Sequence, residues 1–287
     1  MPLPAEMPLR TGRMKLPLGS VFWHEKGKPG GETVVLLHGS WHESTQWLPL
    51  MQHLGTTHHC LAPDLLGFGE SFRADQTPYS IALQVECLHS LLLALRINRC
   101  RLVAHSLGAW VAAQYALTYP DQVQSLAVIA PEGVIDPQLQ GRWRRDRWLV
   151  APWSPLPLVL PWLGQSPWAK ALRDRSQCLR QAPAACKILF QRRAAAIDGE
   201  LLQQRLEQIG VPALVLEPTP ADPLTHQLTQ NWLRRLPGGK QAEITAAPTP
   251  LGIDAAECAA ALGQLMASLP SPPPRPSAFP ATPLGSA

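Results

Sequence analysis

Short apolar runs recur along the chain, and they constrain its fold more than any other feature. Residues 33–38 (TVVLLH), 100–105 (CRLVAH), 125–131 (SLAVIAP) and 212–217 (PALVLE) are brief and rich in valine and leucine. Their length matches strands rather than helices. They do not alternate apolar with polar, so each reads as a strand covered on both faces, as in a parallel sheet. Residues 58–63 (HHCLAP) and 242–247 (AEITAA) are further strand candidates. Helical patterns fill the intervals at 44–54, 79–96, 107–119, about 224–236 and about 254–269. The third of these stops before Pro120, because a residue preceding proline disfavours helical backbone. Strands alternating with helices predict an α/β fold, a parallel sheet with helices on both faces.

The alternation breaks once, between about 132 and 210. Proline placement marks the same break. The chain holds 31 prolines in 287 residues, about 11% against a usual ~5%. Seven lie in 131–167, seven in 270–287 and four in 1–17. The rest of the chain has an ordinary proline content. The expected organisation is an N-terminal extension at 1–17, an α/β core in two parts at 18–131 and 211–269, a helical insertion at 132–210, and a disordered Pro-rich tail at 270–287. Residues 148–169 carry no charge, long enough for a membrane span. Their five prolines argue against a regular helix, so a buried or interfacial element is expected.

The net charge of +4 is too small to point to nucleic acid. It is uneven: residues 137–210 hold 12 Lys/Arg and 5 Asp/Glu, and the remainder 13 and 16. None of the six cysteines forms a C-x-x-C pair, which reads as buried free thiols in a reducing compartment. Residues 1–15 carry four charged residues and three prolines and do not read as a signal peptide. A cytoplasmic location is the expectation, with no metal and no cofactor.

The motif with chemical content is Ala104-His105-Ser106-Leu107-Gly108, between a strand and a helix. A serine on so sharp a turn presents its hydroxyl above the sheet, and small residues are needed on either side. Taken alone, Ser106 reads as a helix N-cap. Two companions add weight. His38-Gly39-Ser40 ends an earlier buried strand, and acyl transfer needs two backbone N–H groups aimed at a developing oxyanion. Leu107 and Ser40 are placed to supply them, with His38 and Gly39 supporting the loop. Asp64-Leu65-Leu66-Gly67-Phe68-Gly69-Glu70-Ser71 is a glycine-rich turn of structural character.

Together these motifs resemble the α/β-hydrolase superfamily, in the branch containing small esterases, carbon–carbon bond hydrolases and epoxide hydrolases. The likeness runs from about residue 18 to 269 and is strongest up to 131. It implies a mostly parallel eight-stranded sheet with a helical cap between strands six and seven. Members with an aspartate nucleophile open epoxides or displace halide. Ser106 at that position implies ester, thioester, amide or carbon–carbon cleavage instead.

The resemblance also implies a chain order of Ser, Asp, His. Asp222 matches the acid position; it reads equally as the N-cap of the helix starting at Pro223. The base position departs from the family pattern. Setting Glu257 on the family's glutamate puts Gly252 where histidine belongs, and the last histidine in the chain is His226. Losing the base of such a triad costs about 10⁶-fold in kcat. His42 and His226 are the candidates for a substitute base.

The insertion opens with Arg142, Trp143, Arg144, Arg145, Arg147 and Trp148. These read as an ordinary cap, with tryptophans packed and arginines solvated, or as a peripheral contact with an anionic membrane. The resulting expectation is a serine hydrolase with a degenerate triad acting on a small or amphipathic ester or thioester. The alternative is a catalytically impaired pseudo-hydrolase that binds a ligand, partner or membrane surface through its basic, Trp-rich cap.

Overall fold

The computed structural model describes residues 7–28, 30–73, 78–151, 154, 167–248 and 251–268. An eight-stranded sheet runs through these residues in the order β1-β2-β4-β3-β5-β6-β7-β8. The strands are β1 (Arg10–Leu16), β2 (Gly19–Gly27), β3 (Thr33–Leu37), β4 (His59–Pro63), β5 (Cys100–His105), β6 (Val123–Ile129), β7 (Ala213–Thr219) and β8 (Lys240–Thr245). The pairs β1–β2 and β2–β4 are antiparallel. Every pair from β4 through β8 is parallel. The expected mostly parallel eight-stranded sheet is therefore what the chain forms.

The longer helices are α1 (Leu48–Leu54), α2 (Ile81–Ala94), α3 (Leu107–Thr118), α4 (Pro137–Val150), α5 (Pro167–Gln181), α6 (Pro223–Leu233) and α7 (Ala255–Ala267). The pleat divides each apolar run between two cores. Val34, Leu36, Val103 and Leu216 face α1 and α7 in one cluster. Val35, Leu37, Leu102 and Val215 face the other cluster, which includes α2 and α3. Burial on both faces is why these strands lack polar alternation.

Some expected boundaries shift. Residues 10–16, read as part of an N-terminal extension, form edge strand β1. Its charged residues lie on an exposed edge, and Gly12 leaves room for the Trp23 ring, which a Cβ there would meet at 2.2 Å. Strand β8 starts at Lys240, two residues before the expected start. Helices α4 and α5 and the turns Pro183–Cys186 and Ala194–Asp198 all lie between β6 and β7. Most of the uncharged stretch at 148–169, and the Pro-rich tail at 270–287, fall outside the described residues. Among the described residues, no helix is long and apolar enough to cross a membrane.

Candidate functional site

The carboxyl ends of β3, β5 and β6 meet at one place, the usual location for ligand sites in such sheets. Ser106 stands there between β5 and α3 with φ 51° and ψ −113°. A non-glycine residue in so sparsely populated a backbone region costs about 1–3 kcal/mol. The surroundings hold it: its N–H donates to the Ile129 carbonyl at 3.0 Å, and its carbonyl accepts from Ala109 at 3.1 Å and Glu132 at 3.2 Å. No side-chain cap bond forms at Ser106, so its hydroxyl is not used as an N-cap. Ala130, just beyond β6, is also left-handed, with φ 45°.

The glycines of the two motifs are explained by close approach. A Cβ on Gly108 would stand 2.4 Å from the Leu37 carbonyl oxygen, so α3 lies directly against the end of β3. A Cβ on Gly39 would stand 2.6 Å from His105 Nδ1 and 3.2 Å from Ser106 Cβ. The loop after β3 therefore rests on the serine turn.

Polar groups fix that loop. His38 is fully buried. Its Nδ1–H donates to the Gly39 carbonyl at 2.9 Å, and its Nε2 accepts from the Leu65 N–H at 2.9 Å. Burial lowers its pKa to about 4. Gly39 N–H donates to Gln46 Oε1 at 3.0 Å, and Gln46 Nε2 donates to His105 Nδ1 at 3.3 Å. Burial, reinforced by His42 and His38, lowers His105 to about 3. Both imidazoles are neutral braces. Asp64 ties the glycine-rich turn to the same loop, accepting from Ser44 N–H at 2.7 Å and Glu70 N–H at 2.8 Å. The Ser40 hydroxyl is buried without a hydrogen-bond partner. Leu107 opens α3, and the first amides of a helix have no intrahelical acceptor.

His42 has its pKa lowered by burial, and its ring centre is 5.9 Å from that of His105. It also lines a cavity of about 570 Å³ with Trp41, Gln46, Phe68, Cys178 and Pro183. Asp222 is exposed and caps α6, accepting from the Leu224 and Thr225 amides and from the Thr225 hydroxyl. His226 Nδ1 pairs with Glu217 at 2.6 Å. Among the described residues, no hydrogen bond or ion pair joins Asp222 or His226 to Ser106. Gly252 sits in a left-handed turn, φ +76°, and a Cβ there would meet no atom within 4 Å.

The Arg/Trp run divides along α4. Trp143 is buried, whereas Arg144, Arg145, Arg147 and Trp148 face outward. Arg142 turns inward to Glu132, Nη2 to Oε1 at 3.3 Å.

Glu132 is the residue that sequence reasoning missed. It follows β6, the neighbour of β5, and is buried. The Ser106 side chain lies beside its carboxylate and favours the ionised form. The approach is loose, for Oε2 has no donor at full hydrogen-bond geometry. Burial raises the Glu132 pKa, against the pull of Arg142, Ser106 and Arg175; Asp146 adds to the rise. The available signal was a carboxylate in A-P-E-G directly after a buried strand.

Comparison with known proteins agrees with this architecture. A family model described as the alpha/beta hydrolase family matches residues 34–279. An uncharacterized protein of Mycobacterium tuberculosis is 36% identical over 104 residues, covering 36% of this chain and 30% of that protein. A monoacylglycerol lipase of Xenopus laevis is 32% identical over 115 residues, covering 39% of this chain and 34% of the lipase. The match thus spans about a third of the length of these relatives. A haloalkane dehalogenase from Bradyrhizobium elkani superposes with a TM-score of 0.68 at 18% identity, covering 91% of this chain and 99% of the dehalogenase. At that identity the likeness speaks to fold.

Proposed function

The chain belongs to the α/β-hydrolase family, and within it we propose a serine hydrolase of ester-like bonds, with Ser106 as the nucleophile. One observation carries this reading: Ser106 is held in left-handed backbone at a strand–helix junction, with the Gly39 loop resting on it. On this reading the Ser106 hydroxyl attacks a carbonyl carbon, and the Leu107 and Ser40 amides receive the oxyanion. On the same reading the helices between β6 and β7 serve as a cap over this end of the sheet. The lipase relative and the tryptophan-rich cap favour an acyl ester with an apolar part. All six cysteines are free, which suits a cytoplasmic setting.

A second reading rests on Gly252, which places no imidazole at the family's base position. On that reading the protein binds rather than cleaves, using the outward face of α4 with Arg144, Arg145, Arg147 and Trp148.

The discriminating experiment is hydrolysis of p-nitrophenyl acyl esters, with fluorophosphonate labelling, by the wild type and Ser106→Ala. The expected result is wild-type labelling and turnover, both abolished in Ser106→Ala. An unlabelled wild type without turnover would favour the second reading.

A further inference from the structure

We infer that Glu132 is the general base for Ser106, a role that rests on Ser106 being the nucleophile. A serine hydroxyl needs a base within reach to take its proton. Among the described residues, the family's histidine position is a glycine, the imidazoles of His105 and His38 are otherwise engaged, and no hydrogen bond joins His42 to Ser106. His105 Nδ1 accepts from Gln46, and His38 is bonded at both nitrogens. Glu132 stands beside Ser106 instead: its N–H donates to the Ser106 carbonyl at 3.2 Å, and its buried carboxylate is near enough for the Ser106 side chain to favour the charged form.

The two oxygens of Glu132 differ. Arg142 holds Oε1 at 3.3 Å. Oε2 is buried and has no hydrogen-bond partner. A carboxylate held by one oxygen and open at the other is placed to accept a proton. The Glu132 N–H bond to the Ser106 carbonyl fixes the two residues relative to each other.

The charges around Glu132 suit this use. Arg142 and Asp146 face it from α4, and Arg175 from α5. Asp146 is neutralised by Arg175 through two hydrogen bonds of 3.1 and 2.5 Å. Burial makes the carboxylate a stronger base than a solvated one, because desolvation disfavours its charged form. Arg142 keeps it ionisable.

The step balances without any further reagent. Glu132 takes the Ser106 hydroxyl proton as Oγ bonds to the substrate carbonyl carbon and the carbonyl electron pair moves to oxygen. Collapse restores the carbonyl, breaks the bond to the leaving alcohol and returns the proton from Glu132 to that alcohol. A water then loses a proton to Glu132 and attacks the acyl-serine. Ser106 departs and recovers the proton.

The test measures fluorophosphonate labelling of Ser106 and p-nitrophenyl ester turnover in the full chain across pH. Glu132→Gln should slow both by about 10²–10⁴-fold, the usual worth of a positioned base. The wild-type rate should rise with pH through one inflection above the ordinary carboxylate range, and that inflection should vanish in Glu132→Gln. Added formate should partly restore Glu132→Ala, which loss of a purely structural side chain would not allow. Should Glu132→Gln fail to unfold cooperatively, Glu132→Asp, which keeps the carboxylate, carries the comparison and should retain the inflection. Ser106 labelled equally fast in wild type and Glu132→Gln would overturn the inference while leaving the serine reading intact. A wild type that is never labelled at Ser106 would overturn both.

Discussion

Glu132 donates its backbone N–H to the carbonyl oxygen of Ser106 at 3.2 Å. The turn after β6 is thereby tied to the turn after β5, and both contain a residue in left-handed backbone, Ala130 and Ser106. Such strain concentrates at functional sites, where the surrounding structure maintains it.

The buried Glu132 carboxylate makes stability depend on pH in a defined direction. Its pKa is raised on folding, so the folded chain holds that proton to higher pH than the unfolded chain. The associated stability is present below the unfolded value of about 4.3 and is lost as pH rises through the folded one. Urea unfolding of wild type and Glu132→Gln at pH 4.5 and 7.5 checks this. Relative to the variant, the wild type should be less stable at the higher pH.

The histidine braces act in the opposite direction. His38 and His105 are held neutral, with pKa values lowered to about 4 and about 3. In the unfolded chain they protonate near 6.5. Stability should therefore fall as pH drops from about 6.5 toward 4, because the unfolded state takes up protons that the folded state refuses. His38→Phe should show a shallower fall in urea titrations over that window.

Gly39→Ala places a methyl group 2.6 Å from His105 Nδ1 and 3.2 Å from Ser106 Cβ. Overpacking of this kind costs about 1–3 kcal/mol. The loop must lift from the serine turn, so the fluorophosphonate labelling rate should fall much further than the thermal midpoint suggests.

Asp222→Ala should behave as the loss of a helix cap. Three hydrogen bonds from Leu224 and Thr225 end on its carboxylate, and removing such a cap costs about 1 kcal/mol. Thermal melts should register that loss while the rate of Ser106 labelling stays unchanged.

Gly252→His tests whether the family's usual base position still faces Ser106. Space is open there, though the left-handed backbone adds about 1–2 kcal/mol of strain. The expected outcome is a gain in ester turnover with a new inflection near the histidine pKa of about 6.5, read from the pH–rate profile.

The central strands were legible because burial on both faces leaves a short unbroken apolar run, as in Thr33–Leu37 and Cys100–His105. Strand β1 was not, because an edge strand with charged residues such as Arg10, Arg13 and Lys15 resembles a loop. The Ser106 turn and its small neighbours were readable since tight backbone demands small residues locally. Glu132 was not readable in the same way. Its meaning depends on β6 lying beside β5, a fact of strand order that no local pattern carries. Asp222 and His226 invited attention through family pattern and chain position, and the structure gives their side chains other partners: the α6 cap amides for Asp222 and Glu217 for His226.

One backbone hydrogen bond has a practical consequence. Leu202 N–H donates to the Gly133 carbonyl at 2.8 Å, so the chain leaves the sheet after β6 and returns to it through a bonded neck. Trp110 lies under that neck: it would meet a Cβ on Gly133 at 2.7 Å, and its indole N–H donates to the Glu200 carbonyl at 2.8 Å. Everything between the two strands of the neck is one loop whose ends are already held together. Loop closure cost grows by only about 0.6 kcal/mol for each doubling of length. The core is therefore a socket that can accept segments of very different size and surface at this point. Exchanging most of residues 134–201 for another segment, with Gly133, Leu202 and the Arg142 contact to Glu132 kept, would graft a new covering onto the same serine.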